Sequence, residues 1–275
     1  MKSNKLKKWL AAPYAVWAVG FIIIPLILIL YYAFTGEEGG FTLSNFAYVA
    51  TKENIKALGL ALWLSLLSTA LCLLLAYPLA MILANRNVNQ TSFIVLIFIL
   101  PMWMNFLLRT LAWQTLLEKN GVINSILAFF HLPGISIINT PGAIILGMVY
   151  NFLPFMVFPI YTLLSKMDYR LTEAAADLGC NNWQTLWKVT MPLSIPGIVS
   201  GITMVFMPSV TTFFIPRVLG GGNTMMFGDL IEAKFLTEGN WNVGSALSLI
   251  MMVLILISLS ILRKADPNGE GGGIA

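Results

Sequence analysis

The sequence predicts an all-α, polytopic membrane protein with six transmembrane helices and both termini in the cytoplasm. Three observations predict it. Of 275 residues, 58% belong to the hydrophobic set and 10% are charged, whereas a soluble domain carries ~25% charged residues. The charges sit in short segments separated by long charge-free windows. Basic residues also concentrate in alternate segments, the bias that orients membrane helices.

The windows cover residues 9–36, 57–85, 87–108, 120–165, 189–216 and 239–262. A spanning helix needs ~20 apolar residues, and every window is long enough. One charge at the centre of a span costs ~2.5–3.5 kcal/mol on insertion scales, which explains the segregation. The first window has an apolar run longer than a signal-peptide core, and no small-x-small site precedes Glu37 and Glu38. An uncleaved first helix is expected. The fourth window contains the turns Pro133-Gly134 and Pro141-Gly142, which trim the span to 142–164. The preceding NGVINSILAFF is too short to cross and reads as an interfacial or re-entrant helix. Residues 266–275 are polar and Gly-rich and are expected to be disordered.

With a cytoplasmic N-terminus, ten basic and five acidic residues fall inside, against six basic and seven acidic outside. The outer set includes Arg109 and Lys234. This asymmetry supports the assigned orientation. Pro25, Pro78, Pro101, Pro154, Pro159 and Pro208 lie in or near the spans. They read either as ordinary membrane-helix proline or as hinges between two packings.

Several functions are excluded. Cys72 and Cys180 lack metal or redox spacing, and one histidine, His131, leaves little for acid–base chemistry. The net charge of +4 comes from basic residues at membrane borders, not from a nucleic-acid face. No intramembrane carboxylate or selectivity filter supports an ion-driven transporter or a channel.

The loop at 166–192, between the fourth and fifth spans, is the most informative stretch. Asp168 or Thr172 can cap a first helix, and Gly179 can end it in the left-handed conformation. Asn181 or Asn182 can cap a second helix. Trp183, Leu186, Trp187 and Thr190 then form one stripe along it. Pro192 and Pro196 are expected to break the chain as it enters the fifth span. An exposed apolar patch of this kind usually marks a contact site.

This loop resembles the EAA loop of type I ABC transporter permeases, importers that work with a separate binding protein. That pattern runs E-A-A, three residues, G, nine residues, then I-x-L-P. Glu173, Ala174, Ala175 and Gly179 match it, as does Pro192, while Val189 and Met191 replace the Ile and Leu. The resemblance implies a coupling helix seated on a cytoplasmic ABC ATPase in two copies, with Glu173, Ala174, Ala175, Gly179, Trp183, Trp187 and Pro192 at the contact. The chain has no phosphate-binding G-x-x-x-x-G-K-[ST] loop. ATP would be bound by the partner, and no cofactor of its own is expected.

Over roughly 60–262, the segments LPMWMNFLLRTLAW, TPGAIILGMVYNFLPFMVFPIY and VLGGGNTMMFGDLIEAKFL resemble the spermidine/putrescine permeases of the B type within that family. The resemblance implies a second, C-type permease and an extracytoplasmic polyamine-binding protein as partners. It also implies polyamine import, with import of another small solute as the alternative. A polycation needs carboxylates and aromatic faces. Trp103, Asn105, Tyr150 and Asn151 offer polar or aromatic faces within the spans, although both asparagines can equally bond between helices. Glu118, Asp229, Glu232 and Glu238 lie in outer segments near Trp113 and Trp241. They read as an entry vestibule or as solvated charges and helix caps. Pro208 is a candidate hinge beside a gate of Met204, Phe206 and Met207.

Overall fold

The structure is a computed structural model that describes residues 13–36, 39–84, 100, 102–222 and 224–265. Among these residues, five helices are long and apolar enough to cross a membrane. They are α1 (Pro13–Ala33), α3 (Lys52–Ala84), α6 (Pro141–Leu164), α8 (Asn182–Thr211) and the apolar part of α11 (Trp241–Ala265). Shorter helices connect them: α2 (Ser44–Val49), α4 (Phe106–Leu117), α5 (Val122–Phe129), α7 (Arg170–Asp177), α9 (Phe214–Leu219) and α10 (Phe227–Glu232). Most of the expected third span, at 87–108, and the expected disordered tail at 266–275 lie outside the described residues, as does Pro101.

The chain divides into two units, residues Met1–Lys56 with Leu230–Leu254, and Ala57–Asp229 with Ile255–Ala275. In the first, the buried Asn45 amide donates to the carbonyls of Ala33 and Thr35, both at 3.0 Å. Asn242 donates to the same Thr35 carbonyl. These bonds satisfy the frayed end of α1, whose last carbonyls have no helical partner. After α10, a π turn at Ala233–Thr237 carries Lys234.

In the second unit, α6 packs along α8. The approach is close because Gly197 and Gly201 face α6. A Cβ on Gly197 would lie 3.1 Å from the Pro159 carbonyl, and one on Gly201 would lie 2.7 Å from the Met156 sulfur. Small residues on one face let helix backbones approach where lipid supplies no hydrophobic drive. Gly147 does the same for α9, where an added Cβ would lie 2.4 Å from Leu219. The Ser68 hydroxyl of α3 donates to the sulfur of the buried Met148 at 3.4 Å, a second tie to α6.

The charge-free windows locate the helices but not their ends. The fourth span, expected at 142–164, is observed at Pro141–Leu164. The window ending at Leu108 does not continue as one helix. The chain breaks at Met104, and the Asn105 side chain accepts from the Leu107 and Leu108 amides at 2.8 and 3.3 Å, starting α4. A capping side chain ends and restarts a helix without any charge. Likewise the fifth window runs to Pro216, but α8 stops at Thr211, Thr212 is extended, and Pro216 belongs to α9.

The expected break at Pro192 and Pro196 is not present. The second loop helix runs through a π turn at Leu186–Thr190 directly into the fifth span, so that α8 is continuous. Pro192 sits in the first turn after the π turn, where the wider register absorbs a missing N–H. Pro78, Pro154, Pro159, Pro196 and Pro208 all lie inside helices.

Candidate functional site

Two groups of residues carry the chemistry expected from the sequence. The first is the loop at 166–192. The Asp168 carboxylate accepts from the Arg170 amide at 3.0 Å and opens α7, whereas Thr172 lies within α7 and donates to the Tyr169 carbonyl. At the other end, Gly179 takes φ +83°. Its amide donates to the Ala176 carbonyl at 2.9 Å and the Cys180 amide to the Ala175 carbonyl at 3.0 Å. This paired closure satisfies two orphan carbonyls and needs a residue free to adopt positive φ.

Asn181 then begins α8. Its side chain accepts from the Gln184 amide at 2.8 Å, and the Gln184 side chain accepts from the Asn181 amide at 3.0 Å. The reciprocal pair fixes the sharp turn between the two helices. α7 packs against the first turns of α8, and Ala175 is buried. Glu173, Ala174, Gly179 and Pro192 are exposed. Trp183 and Trp187 are 67% and 50% exposed, and their rings meet edge-to-face at 5.9 Å. The stripe rotates inward along the helix, with Leu186 half-buried and Thr190 buried. The result is an exposed aromatic pair just after a doubly capped turn, in the first turns of a helix that continues without a break into the fifth span.

The second group lies around Tyr150, the tenth residue of α6. Tyr150 is 38% exposed. Trp113 of α4 meets its ring edge-to-face at 5.1 Å, and the Arg109 guanidinium carbon lies 5.9 Å from the ring centroid. Arg109, counted from the sequence among the outer segments, lies within α4 and is buried. It is 6% exposed and held against a membrane-spanning helix. The sequence hides this because the charge-free window ends at Arg109, while the Asn105 cap folds α4 back onto α6.

Trp103 is exposed, and Asn105 caps α4. Asn151 is buried and donates to the Gly147 carbonyl of its own helix at 2.8 Å. Its side-chain oxygen has no hydrogen-bond partner among the described residues. Glu118 is exposed at the end of α4. Asp229 is buried, and its carboxylate accepts from the Met226 amide at 2.9 Å, reaching back to cap α10. Glu232 ends α10, half-buried.

Glu238 pairs with Lys234, which is 6% exposed and lies 4.5 Å from the Tyr48 ring centroid. Burial alone would pull the Lys234 ammonium down. Hydrogen bonds to Glu238 and Tyr48 outweigh this and hold it above the usual lysine value. Trp241 meets Phe235 at 5.4 Å in the same unit. Sequence reasoning missed both buried cations because their partners are far along the chain or on the next helical turn.

Comparison with known proteins gives consistent matches. The family described as binding-protein-dependent transport system inner membrane component matches residues 76–268. The spermidine/putrescine transport system permease protein PotB of Haemophilus influenzae is 34% identical, over 96% of this chain and 95% of its own length. The protein of the same name from Escherichia coli is 31% identical, over 91% of this chain and 94% of its own. Among solved structures, a bacterial ABC transporter that imports the acidic polysaccharide alginate matches with a TM-score of 0.81 at 18% identity, covering 96% of both chains. A related structure holds an alginate pentasaccharide-bound periplasmic protein and matches with a TM-score of 0.80 at 17% identity, covering 96% of this chain and 94% of that one.

Proposed function

The chain belongs to the family of binding-protein-dependent transport system inner membrane components, and we propose that it is the permease subunit of an importer for the polyamines spermidine and putrescine. Two relatives named for that transport, each covered almost end to end, support the substrate. The carrying observation for the machinery is the loop geometry. A doubly capped turn presents Trp183 and Trp187 outward and runs unbroken into a spanning helix.

In this reading the aromatic pair seats in a groove of a cytoplasmic ABC ATPase, present in two copies. A second, C-type permease completes the route, and an extracytoplasmic polyamine-binding protein delivers the solute. The chain itself is not an enzyme; the ATPase subunits bind and hydrolyse ATP. Because α8 continues without a helix break from loop to span, a displacement of the aromatic pair is passed directly to the spanning part. α8 runs about 45 Å, at ~1.5 Å per residue, to the break at Thr212. ATP and the loaded binding protein must each favour the same state of the bundle, since ligands that bind both states equally shift nothing.

Import of another small solute by the same machinery is the second reading.

The test is ATP-dependent uptake of radiolabelled spermidine and putrescine by vesicles carrying the complete complex. Wild type is compared with Glu173→Arg and Gly179→Asp. Uptake by wild type, lost in both assembled variants, is the expected result. Uptake of neither polyamine by an ATP-hydrolysing wild-type complex would sink the substrate. Uptake indifferent to both substitutions would sink the coupling role of the loop.

A further inference from the structure

We propose that α5 lies flat in the membrane–water interface, with Val122, Ile126, Phe129 and Phe130 sunk into the acyl chains of a phospholipid leaflet and Asn124 as the clamp that holds it there. The sequence leaves this helix two placements, in the interface or dipping into the bundle. None of its residues is buried, whereas a re-entrant segment is held within the protein. Eight residues reach about 12 Å, far short of the ~30 Å hydrocarbon core. Val122, Ile126 and Phe129 recur at i, i+4 and i+7 and share one face. All three are exposed, Phe129 to 78%, and so is Phe130, which ends the helix. Asn124 and Ala128 lie on the other side.

Hydrogen bonds fix the level of the helix. The Asn124 side-chain nitrogen donates to the Glu118 carbonyl at 3.1 Å and to the Ile135 carbonyl at 2.9 Å. Its oxygen accepts from the Ile135 amide at 2.7 Å. One side chain thus fastens the end of α4 to a residue six positions before the start of α6. α5 is therefore held beside the end of a spanning helix, at the membrane border. Gly121 permits the tight entry, since a Cβ there would lie 2.4 Å from the Thr115 carbonyl. At the exit, His131 takes φ +55°, and the Leu132 amide donates to the Leu127 carbonyl at 2.9 Å. That closes the helix as a left-handed cap does.

Lipid is the occupant that fits this chemistry. An amphipathic helix in the interface buries its apolar face ~5–10 Å into the boundary between headgroups and acyl chains. Lys119 and His131 are exposed at the two ends of α5, within reach of headgroup phosphates, with Glu118 exposed beside Lys119. From 120 to 165 there is no Asp, Glu, Lys or Arg, so the face lacks the polar rim of a protein interface. The helix on which α5 packs, α4, also exposes Leu107, Leu108 and Leu111, as a lipid-facing helix does. The leaflet is then the surface on which the α4–α5 hairpin rests. The inference does not depend on which solute is carried.

The test is nitroxide accessibility in the permease–ATPase complex, reconstituted into nanodiscs of phosphatidylethanolamine and phosphatidylglycerol. Single cysteines replace Ile126, Phe129 and Ala128 in turn, in a Cys180→Ser background; Cys72 is buried and escapes the label. Oxygen concentrates among acyl chains, and a nickel chelate stays in water. Labels in Ile126→Cys and Phe129→Cys should favour oxygen over nickel, by a ratio on the order of fivefold above that of Ala128→Cys. Exclusion of both reagents at 126 and 129 would show a protein surface, such as the second permease, over the face and would overturn the proposal. Nickel access equal at all three positions would show a face in water, open to a binding protein, and would overturn it as well. If Phe129→Cys fails to assemble, Val122→Cys reads the same face. Adding Asn124→Ala to Ile126→Cys should remove most of the oxygen preference, and an unchanged ratio would overturn the clamp.

Discussion

The Tyr77 hydroxyl of α3 lies 3.0 Å from the Ser194 hydroxyl of α8. Ser194 already donates its one hydrogen to the Met191 carbonyl at 2.9 Å, so Tyr77 is the donor between them. The bond ties the second span to α8 one turn after the π segment, where the loop becomes the span.

Replacing Tyr77 by Phe removes this donor and leaves Ser194 still bonded to Met191. The expected cost is about 1 kcal/mol, the net worth of one hydrogen bond. Thermal unfolding of the purified chain in detergent should register a small drop. Uptake by the assembled complex should fall more than stability does, as the proposed coupling through α8 requires.

Trp183→Ala and Trp187→Ala remove exposed side chains whose rings meet each other edge-to-face. Each should change the stability of the isolated chain by less than ~0.5 kcal/mol. Each should also reduce copurification of the ATPase severalfold, and the double variant should abolish it. A drop in stability with an intact complex would assign the tryptophans to the fold instead.

Gly228 and Gly147 offer a contrast. A Cβ on Gly228 would meet the backbone carbonyls of Thr212 and Thr211 at 2.6 and 2.9 Å. A Cβ on Gly147 would meet the end of the Leu219 side chain at 2.4 Å. A side-chain tip can rotate away and backbone cannot, so Gly228→Ala should be the more destabilising. It should cost ~1–3 kcal/mol as an overpacked site. The fraction of each variant recovered as a monodisperse peak from membranes checks the order.

Lys234 predicts an alkaline effect. Its ammonium is held above the usual value of 10.5, so folding is favoured by the proton it keeps. That contribution is complete below the unfolded value and disappears as pH rises through the folded one. Lys234→Met should lose about 1 kcal/mol, modest because Glu238 is half-exposed. The gap between variant and wild type should hold from neutral pH upward and close above about 10.5. Melting curves across that range test it.

Much of this was legible in the sequence. The charge-free windows located the five spans seen among the described residues, since the cost of a charge in lipid is written directly into composition. The caps were legible too: Gly179, Asn181 and Asp168 act within three residues of themselves, and local chemistry reads locally. Less legible were the ends of the spans. Asn105 and Thr212 break helices inside uncharged sequence, where hydropathy changes little.

By itself, then, the sequence determined a helical membrane protein of several spans and the local caps of its most informative loop. Each of these depends on residues close together in the chain or on the average apolarity of a segment. The tertiary structure alone decided that α8 runs through its prolines without a break, and that the Arg109 cation rests on Tyr150 of another helix. Such facts depend on which surfaces of distant segments meet and on how a π turn shifts register, and no window of sequence carries that information.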